Sequence, residues 1–424
     1  METYAIALSY AIPGFIILVV IEHITSLLMG MQVNRSLDTI SSLSSGITNT
    51  LKNLMGLSVV IISYEWMVQY LAVFDIQSTL WLYVLAFIGL DFAGYWSHRF
   101  NHMVNLFWNR HIIHHSSEEY NLSCALRQSI SAIVGIYFFL YIPMAFIGIP
   151  AEVVAVIAPI HFFAQFWYHT RLINRMGWLE YIIVTPSHHR VHHAINSEYL
   201  DKNFSEIFIV WDKWFGTFQE EMPNVPPVYG VKKPVKTWNP ILINFIHLWG
   251  LVKDAWHTQK WWDKLRIWFM PTGWRPTDVR KKFPIAITTD VYARKKYDTT
   301  ASRFFIGWSW TQFVLTLLLM YHLLVGIADF SFNDVLFYAT FLMISIFSYT
   351  TLMDRHRGAI PVEIVRAALG LGLIYHLGGW FGLEEWLAGI VLILATYFVI
   401  SLGMTVYFSL FENHGARLSN VASR

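Results

Sequence analysis

Residues 79–102 read Thr79-Leu-Trp-Leu-Tyr-Val-Leu-Ala-Phe-Ile-Gly-Leu-Asp-Phe-Ala-Gly-Tyr-Trp-Ser-His-Arg-Phe-Asn-His102. An apolar run of spanning length holds one acid, Asp91, and closes on an HxxxH box, His98 and His102. Two further boxes follow. His111, His114 and His115 form an HxxHH. His189, His192 and His193 form a second HxxHH, with His188 in front. His169 stands alone between them. Ten of the 18 histidines are therefore in three boxes or at His169. On a helix, spacings of three and four residues stack side chains on one face. Imidazoles so placed converge on a metal. A single tetrahedral site needs four ligands. These ten supply enough nitrogens for two metals. No HExxH is present, so a zinc peptidase lacks its general base. The lone cysteine, Cys124, excludes an intrachain disulfide and leaves thiolate metal sites without ligands.

The rest of the chain has membrane composition. Of 424 residues, 55% are hydrophobic and 14% charged, against about 25% charged in soluble domains. The net charge of +2 gives no nucleic-acid footprint. The N-terminus shows neither a charged leader nor a small-residue cleavage site, so no cleaved signal peptide is expected. Apolar stretches at 5–21, 54–74, 79–96, 130–149, 151–168, 304–325, 334–352, 361–379 and 384–410 predict nine spans in an all-α, polytopic integral membrane bundle. If the histidines face the cytoplasm, nine spans put the N-terminus outside and the C-terminus inside. The outer loops then lie near 75–78, 148–152, 326–333 and 379–385. None contains Lys or Arg, as the positive-inside rule requires. The expected home is a bacterial inner membrane or the endoplasmic reticulum, with the site on the cytoplasmic side. Residues 1–250 read as the catalytic region and 304–424 as a C-terminal four-span region. Between them, 251–303 is rich in Trp, Lys and Arg, as in a helix lying among lipid headgroups. The apolar Gly370-Leu-Gly372 follows no strand and is not a dinucleotide motif.

Other candidates surround the boxes. Asp91 lies seven residues before His98, on the same helical face. A carboxylate inside a bilayer is costly and marks a functional site. The expected role is to accept an N–H from a ligating imidazole; a bundle-facing structural acid is the alternative. Glu118 directly follows the second box and reads as a catalytic candidate, as a ligand or as a base behind the ligands; a solvated surface charge is the bland alternative. Glu65 has no histidine near it in sequence. His161 reads as a core histidine or a group behind the ligands rather than as a ligand. The isolated histidines, His414 among them, read as structural or surface residues.

At the boxes the chain resembles the fatty acid hydroxylase / sterol desaturase superfamily of membrane oxygenases. Longer strings resemble its alkylglycerol monooxygenase (glyceryl-ether monooxygenase) subfamily. They are Arg99-Phe-Asn-His102, His114-His-Ser-Ser-Glu-Glu-Tyr-Asn-Leu-Ser123, Ala125-Leu-Arg-Gln-Ser129, Gln165-Phe-Trp-Tyr-His-Thr170, Thr185-Pro-Ser-His-His-Arg-Val-His-His193, Asp201-Lys-Asn203 and Trp211-Asp-Lys-Trp-Phe-Gly-Thr-Phe218. The resemblance covers about 80–275. It implies two iron ions on His98, His102, His111, His114, His115, His169, His188, His189, His192 and His193, with O2 as oxidant and a membrane lipid C–H bond as target. In the ether-cleaving subfamily it further implies tetrahydrobiopterin as reductant. Hydroxylation beside the ether oxygen gives a hemiacetal, which collapses to a fatty aldehyde and a glycerol derivative. No cytochrome b5-like, flavin or nicotinamide domain is read in the chain. Electrons are therefore expected from a separate small molecule or an electron-transfer protein. The competing readings are a sterol or fatty-acid hydroxylase or desaturase with a protein reductant, and a metal transporter. Transporters place ligands at mid-membrane, whereas these boxes lie at span ends and in the polar segment.

Overall fold

The computed structural model describes residues 2–77 and 79–412. Among them, six helices are long and apolar enough to cross a membrane. They are α1 (Glu2–Leu28), α4 (Leu80–Met103), α14 (Arg303–Val325), α15 (Phe332–Met353), α16 (Ala359–Leu377) and α17 (Ile390–Tyr407). Between α1 and α4 come α2 (Ser36–Leu54), β1 (Val59–Val60) and α3 (Tyr64–Leu71). After α4 come α5 (Asn105–Trp108), α6 (Ile112–His115), β2 (Val134–Gly135), α7 (Ile142–Ile147), α8 (Ala151–Phe163), α9 (Pro186–His192) and α10 (Val210–Trp214). The segment before α14 carries α11 (Pro240–His257), α12 (Trp261–Arg266) and α13 (Thr277–Lys282). The protein is a helical membrane bundle. Ser78 and residues 413–424, with His414, lie outside the described residues.

The expected nine continuous spans reduce to these six. Stretches 54–74, 130–149 and 151–168 are not spanning helices. Gly56 breaks the first, with φ of 67°, and the second is irregular up to a single 3-10 turn at Phe138–Tyr141 and the six-residue α7, which Gly148 ends with φ of 94°. The third forms only the 13-residue α8, about 20 Å long at 1.5 Å per residue. Yet the chain still passes between the two ends of the bundle in these places. α1, α4 and α8 all run toward the histidines. Phe15 of α1 packs on Phe163 and Phe166, with centroids 5.4 and 4.7 Å apart. Further along α1, Glu22 accepts from Thr170 Oγ1 at 2.6 Å. Asp91 of α4 meets His161 of α8 at 2.9 Å. At the far end, Val73 N donates to Phe146 O at 2.9 Å. Three helices running one way require two returns.

The first return is α2, β1 and α3; the second is the irregular chain through β2 and α7. The two returns pair with each other. Val59 aligns with Val134 and Val60 with Gly135 in a parallel ladder, and Val59 N donates to Ile133 O at 2.8 Å. Non-helical backbone at membrane depth must find such partners. Hydropathy missed α2 because it is rich in Ser and Thr. The structure buries it almost entirely. Its hydroxyls turn back to the helix, as in Ser44 Oγ to Ile40 O at 2.6 Å, or reach neighbours, as in Ser41 Oγ to Trp238 O at 2.6 Å. Small side chains also let α14 and α15 approach closely. α2 shares one apolar core with α14–α17, including Leu51, Phe313, Tyr338 and Phe398. In the polar segment, Trp256 and Trp261 are each 77% exposed, and Lys264 Nζ lies 5.6 Å over the Trp261 ring.

Candidate metal centre

Local structure aims each box. The last turns of α4 carry His98 and His102 on one buried face. His111 precedes the single turn of α6, which presents His114 and His115. α9 starts at Thr185 with Pro186 in its first turn, where a missing N–H costs nothing. Thr185 and His188 cap each other there, so the His188 ring serves the helix start.

Nine imidazoles gather into two groups, each with its ligand atoms within 4.8 Å of one another. The first is His98, His102, His111, His115 and His192; the second is His114, His169, His189 and His193. In the first, the Nε2 atoms of His98 and His111 are 3.0 Å apart, and His115 Nε2 lies 3.1 Å from His102, 3.0 Å from His111 and 3.1 Å from His192. In the second, His169 Nε2 lies 3.3 Å from His114 and 2.9 Å from His189, and His189 lies 3.1 Å from His193. The groups adjoin, with the His115 and His193 rings stacked at 4.3 Å. His188 is in neither group.

The donors fit metal ions. Nitrogens bound at about 2.1 Å lie about 3.0 Å apart at right angles and about 3.4 Å apart at the tetrahedral angle. The observed separations, 2.9–3.3 Å, lie at or close to that range. The opposite ring nitrogens explain why Nε2 faces inward. His98 Nδ1 donates to Phe204 O at 2.8 Å, His192 Nδ1 to Lys202 O at 3.0 Å and His169 Nδ1 to Gln165 O at 3.0 Å. Asp201 Oδ1 stands 3.6 Å from His102 Nδ1. In these three rings the proton held on Nδ1 leaves the inward Nε2 with a bare lone pair, the atom that ligates a metal. Burial first, then neighbouring imidazoles, holds His111, His115, His189, His192 and His193 well below the usual histidine range. Both effects favour the neutral imidazole, the form that ligates a metal.

Two of the three carbonyls behind the ligands, Lys202 O and Phe204 O, come from the segment after α9, where sequence reasoning marked Asp201-Lys-Asn203 only as a resembling string. Asp201 and Asn203 adopt φ near 55°, a conformation that Asn and Asp tolerate. Asn203 Nδ2 donates to His188 O and Gln219 O, at 3.0 and 2.8 Å. Asp212 accepts from Phe204 N and Ser205 N, both at 2.8 Å. The strings Asp201–Asn203 and Trp211–Phe218 are thus the frame that aims His98 and His192.

Asp91 does not touch a box histidine. Its Oδ1 accepts from His161 Nε2 at 2.9 Å and Ile207 N at 2.8 Å; its Oδ2 accepts from Phe208 N at 2.9 Å and Trp211 Nε1 at 2.8 Å. Asp91 therefore pins the segment that follows the carbonyl frame. Asp91→Asn places an NH2 against one of these donors, and leaving a buried donor unpaired costs about 1–3 kcal/mol. The variant is expected to lose that much stability in denaturant unfolding while its metal content stays intact. Unchanged stability would show that the four bonds do not hold the segment. Glu118 also lies away from the imidazoles, bound to Arg294 and to the backbone N–H of Tyr297. Glu119 beside it binds Lys296 at 2.5 Å. These acids clamp 294–297 just before α14.

The group missed in sequence is Glu206. It lies 3.8 Å from His161 Nδ1 and accepts from Gln165 Nε2 at 3.2 Å. Its carboxylate occupies the space where a side chain at Gly94 would be, one turn before His98. Burial pushes the Glu206 carboxyl up to about 7. No box or spacing marks it. Glu206, His161 and Gln165 line a cavity of about 990 Å³ that also reaches His98, His111, His114, His169 and His189.

The fatty acid hydroxylase family model matches residues 83–217. The chain is similar to alkylglycerol monooxygenase of Homo sapiens, 35% identical over 370 residues, covering 87% of this chain and 82% of that protein. The protein of the same name from Xenopus tropicalis is 34% identical over 360 residues, 85% of this chain and 80% of its own. Ornithine lipid hydroxylase OlsE of Rhizobium tropici is 29% identical over 136 residues, 32% of this chain and 41% of its own. No solved structure matches the chain.

Proposed function

From a chain that belongs to the fatty acid hydroxylase family and is a membrane lipid monooxygenase, we propose an enzyme that cleaves the ether bond of alkylglycerols, with two iron ions, O2 and tetrahydrobiopterin. The observation that carries the metal count is the division of nine inward-facing imidazoles into a five and a four. Likeness to the alkylglycerol monooxygenases over most of both chains supports the substrate class.

When bound, the metal pair supplies O2 activation for attack on a C–H bond. The chain's own residues do the rest. The imidazoles hold the ions without needing to lose protons. The carbonyls of Lys202 and Phe204 keep His192 and His98 turned inward. Glu206, Gln165 and His161 offer hydrogen-bond partners to glycerol hydroxyls at the cavity wall. One oxygen atom of O2 enters the C–H bond beside the ether oxygen; the other leaves as water with two electrons and two protons from the reductant. The hemiacetal then breaks its C–O bond, giving a fatty aldehyde and glycerol. The test is release of aldehyde from a 1-O-alkylglycerol under air with tetrahydrobiopterin.

The proposed orientation places the histidine end in the cytoplasm. Its support is the lack of Lys and Arg in the loops at the far end. The sole native cysteine is buried and stays silent to labelling. Asp329→Cys is expected to react with an impermeant maleimide added outside intact cells. Reaction only after the membrane is opened would reverse the orientation.

A further inference from the structure

We propose that one face of α1, completed by α2 and α14, is a sleeve that takes the alkyl chain of the lipid and sets its length. This rests on the reading that the substrate is a long-chain lipid oxidised near its headgroup. α1 is weakly enclosed: only 11% of its most apolar window is buried. Yet Tyr4, Ala7, Leu8, Ala11, Phe15 and Ile16 all line the cavity that reaches the imidazoles. Steps of three and four residues place them on a single helical face. From Ile16 to Tyr4 this face extends about 18 Å at 1.5 Å per residue, the reach of an extended alkyl chain of about fourteen carbons.

The opposite wall has the same character. Phe313, Leu317 and Met320 of α14 line the cavity at helical spacing, and Leu43 and Ile47 of α2 join them. The sleeve has a direction. Phe15 packs on Phe166, three residues before His169, so this is the metal end. Tyr4 is eleven residues from Phe15 along the same helix, about 16 Å away at 1.5 Å per residue, and its hydroxyl accepts from Asn53 Nδ2 at 2.9 Å. A lipid with its hydroxyls at Glu206 and Gln165 therefore has its first carbons at the imidazoles and its tail along α1. The small side chains of Ala11 and Ala7 leave room for the tail at successive depths. Continuity with the imidazoles selects a substrate chain as occupant over a bulk lipid resting outside the bundle.

Two experiments test the sleeve. The first does not depend on turnover. A 1-O-hexadecylglycerol with a diazirine at the chain end is photolysed on the purified protein, and labelled peptides are mapped. Label is expected within residues 4–8 or 313–320. Label confined to Phe15 and Ile16, or to residues outside the cavity, would overturn the proposal.

The second reads chain-length preference with alkylglycerols of graded length. Ala11→Trp is expected to lose turnover of the longest chains at least about tenfold relative to the shortest. Ala7→Trp, four residues deeper, should move the limit by about 6 Å, or about five carbons. Retained metal and short-chain turnover confirm the fold. Equal loss at every length, or an unchanged profile, would sink the sleeve. If the wild-type enzyme oxidises acyl lipids instead, the same shift is read on their acyl chains, so the sleeve and the ether reaction stand or fall separately.

Discussion

His115→Ala is expected to cost the enzyme one metal and more than about 100-fold in turnover, beyond the 10–100-fold typical of residues behind the ligands. The reason is its position. His115 Nε2 is within 3.1 Å of three other ligand nitrogens, and its ring stacks on His193 of the neighbouring group. Its loss opens one site and removes the partition between the two. Metal per chain, measured on protein made with iron in excess, should fall from about two to about one. His189→Ala should do the same for the second group, since its Nε2 is 2.9 Å from His169 and 3.1 Å from His193. His188→Ala is the contrast. His188 is the third residue of α9, and its Nδ1 accepts from the backbone N–H of the cap residue Thr185 at 3.4 Å, a role in the helix start and not at the metals. That variant should keep both metals. The partition fails if wild-type protein holds one metal, or if His188→Ala strips metal as His115→Ala does.

The boxes were legible because their geometry is local. Spacings of three and four residues fix which imidazoles share a face before any tertiary contact forms. Their assignment to two groups was not legible. His114 and His115 are adjacent in sequence, yet their ring planes lie at 89° and they belong to different groups. That choice is made by long-range packing, which brings His169 and α9 against the α6 turn. Asp91 was legible as an unusual acid in an apolar helix, but its partners are 70 and more residues away. Glu206 carried no signal, because a single acid in a polar segment resembles any surface charge. The hydropathy pattern found the six continuous helices. It misplaced the two returns, because α2 hides its polar side chains in protein rather than lipid, and because the 130–149 pass meets its hydrogen bonds through β1 rather than through a helix. A window of apolar residues reports contact with lipid; it is silent about a helix enclosed by protein, as α2 is, and about whether an exposed apolar pass is helical.

Aldehyde release from a 1-O-alkylglycerol is expected to fall to background when either O2 or tetrahydrobiopterin is withheld from iron-loaded protein. The cavity supports this reaction over oxidation deep in a chain. Its polar groups, Glu206, Gln165 and His161, sit beside the imidazoles, while its apolar wall leads away along α1. A glycerol end held at those groups puts the ether-linked carbon nearest the metals. Isotope balance gives the sharper readout. The hydroxyl placed on that carbon comes from O2, and when the C–O bond to glycerol breaks, the same oxygen becomes the aldehyde oxygen. Turnover under 18O2, with the aldehyde trapped at once by reduction to its alcohol, should give labelled fatty alcohol and unlabelled glycerol. A hydroxylase acting on a sterol or acyl chain instead leaves a stable labelled alcohol with every other bond intact. Iron-loaded protein that ignores alkylglycerols with the pterin, yet oxidises an acyl lipid or sterol with a reductase, would move the enzyme to that second reaction. The metal groups and the cavity would then keep their roles, because neither depends on which C–H bond the headgroup contacts present.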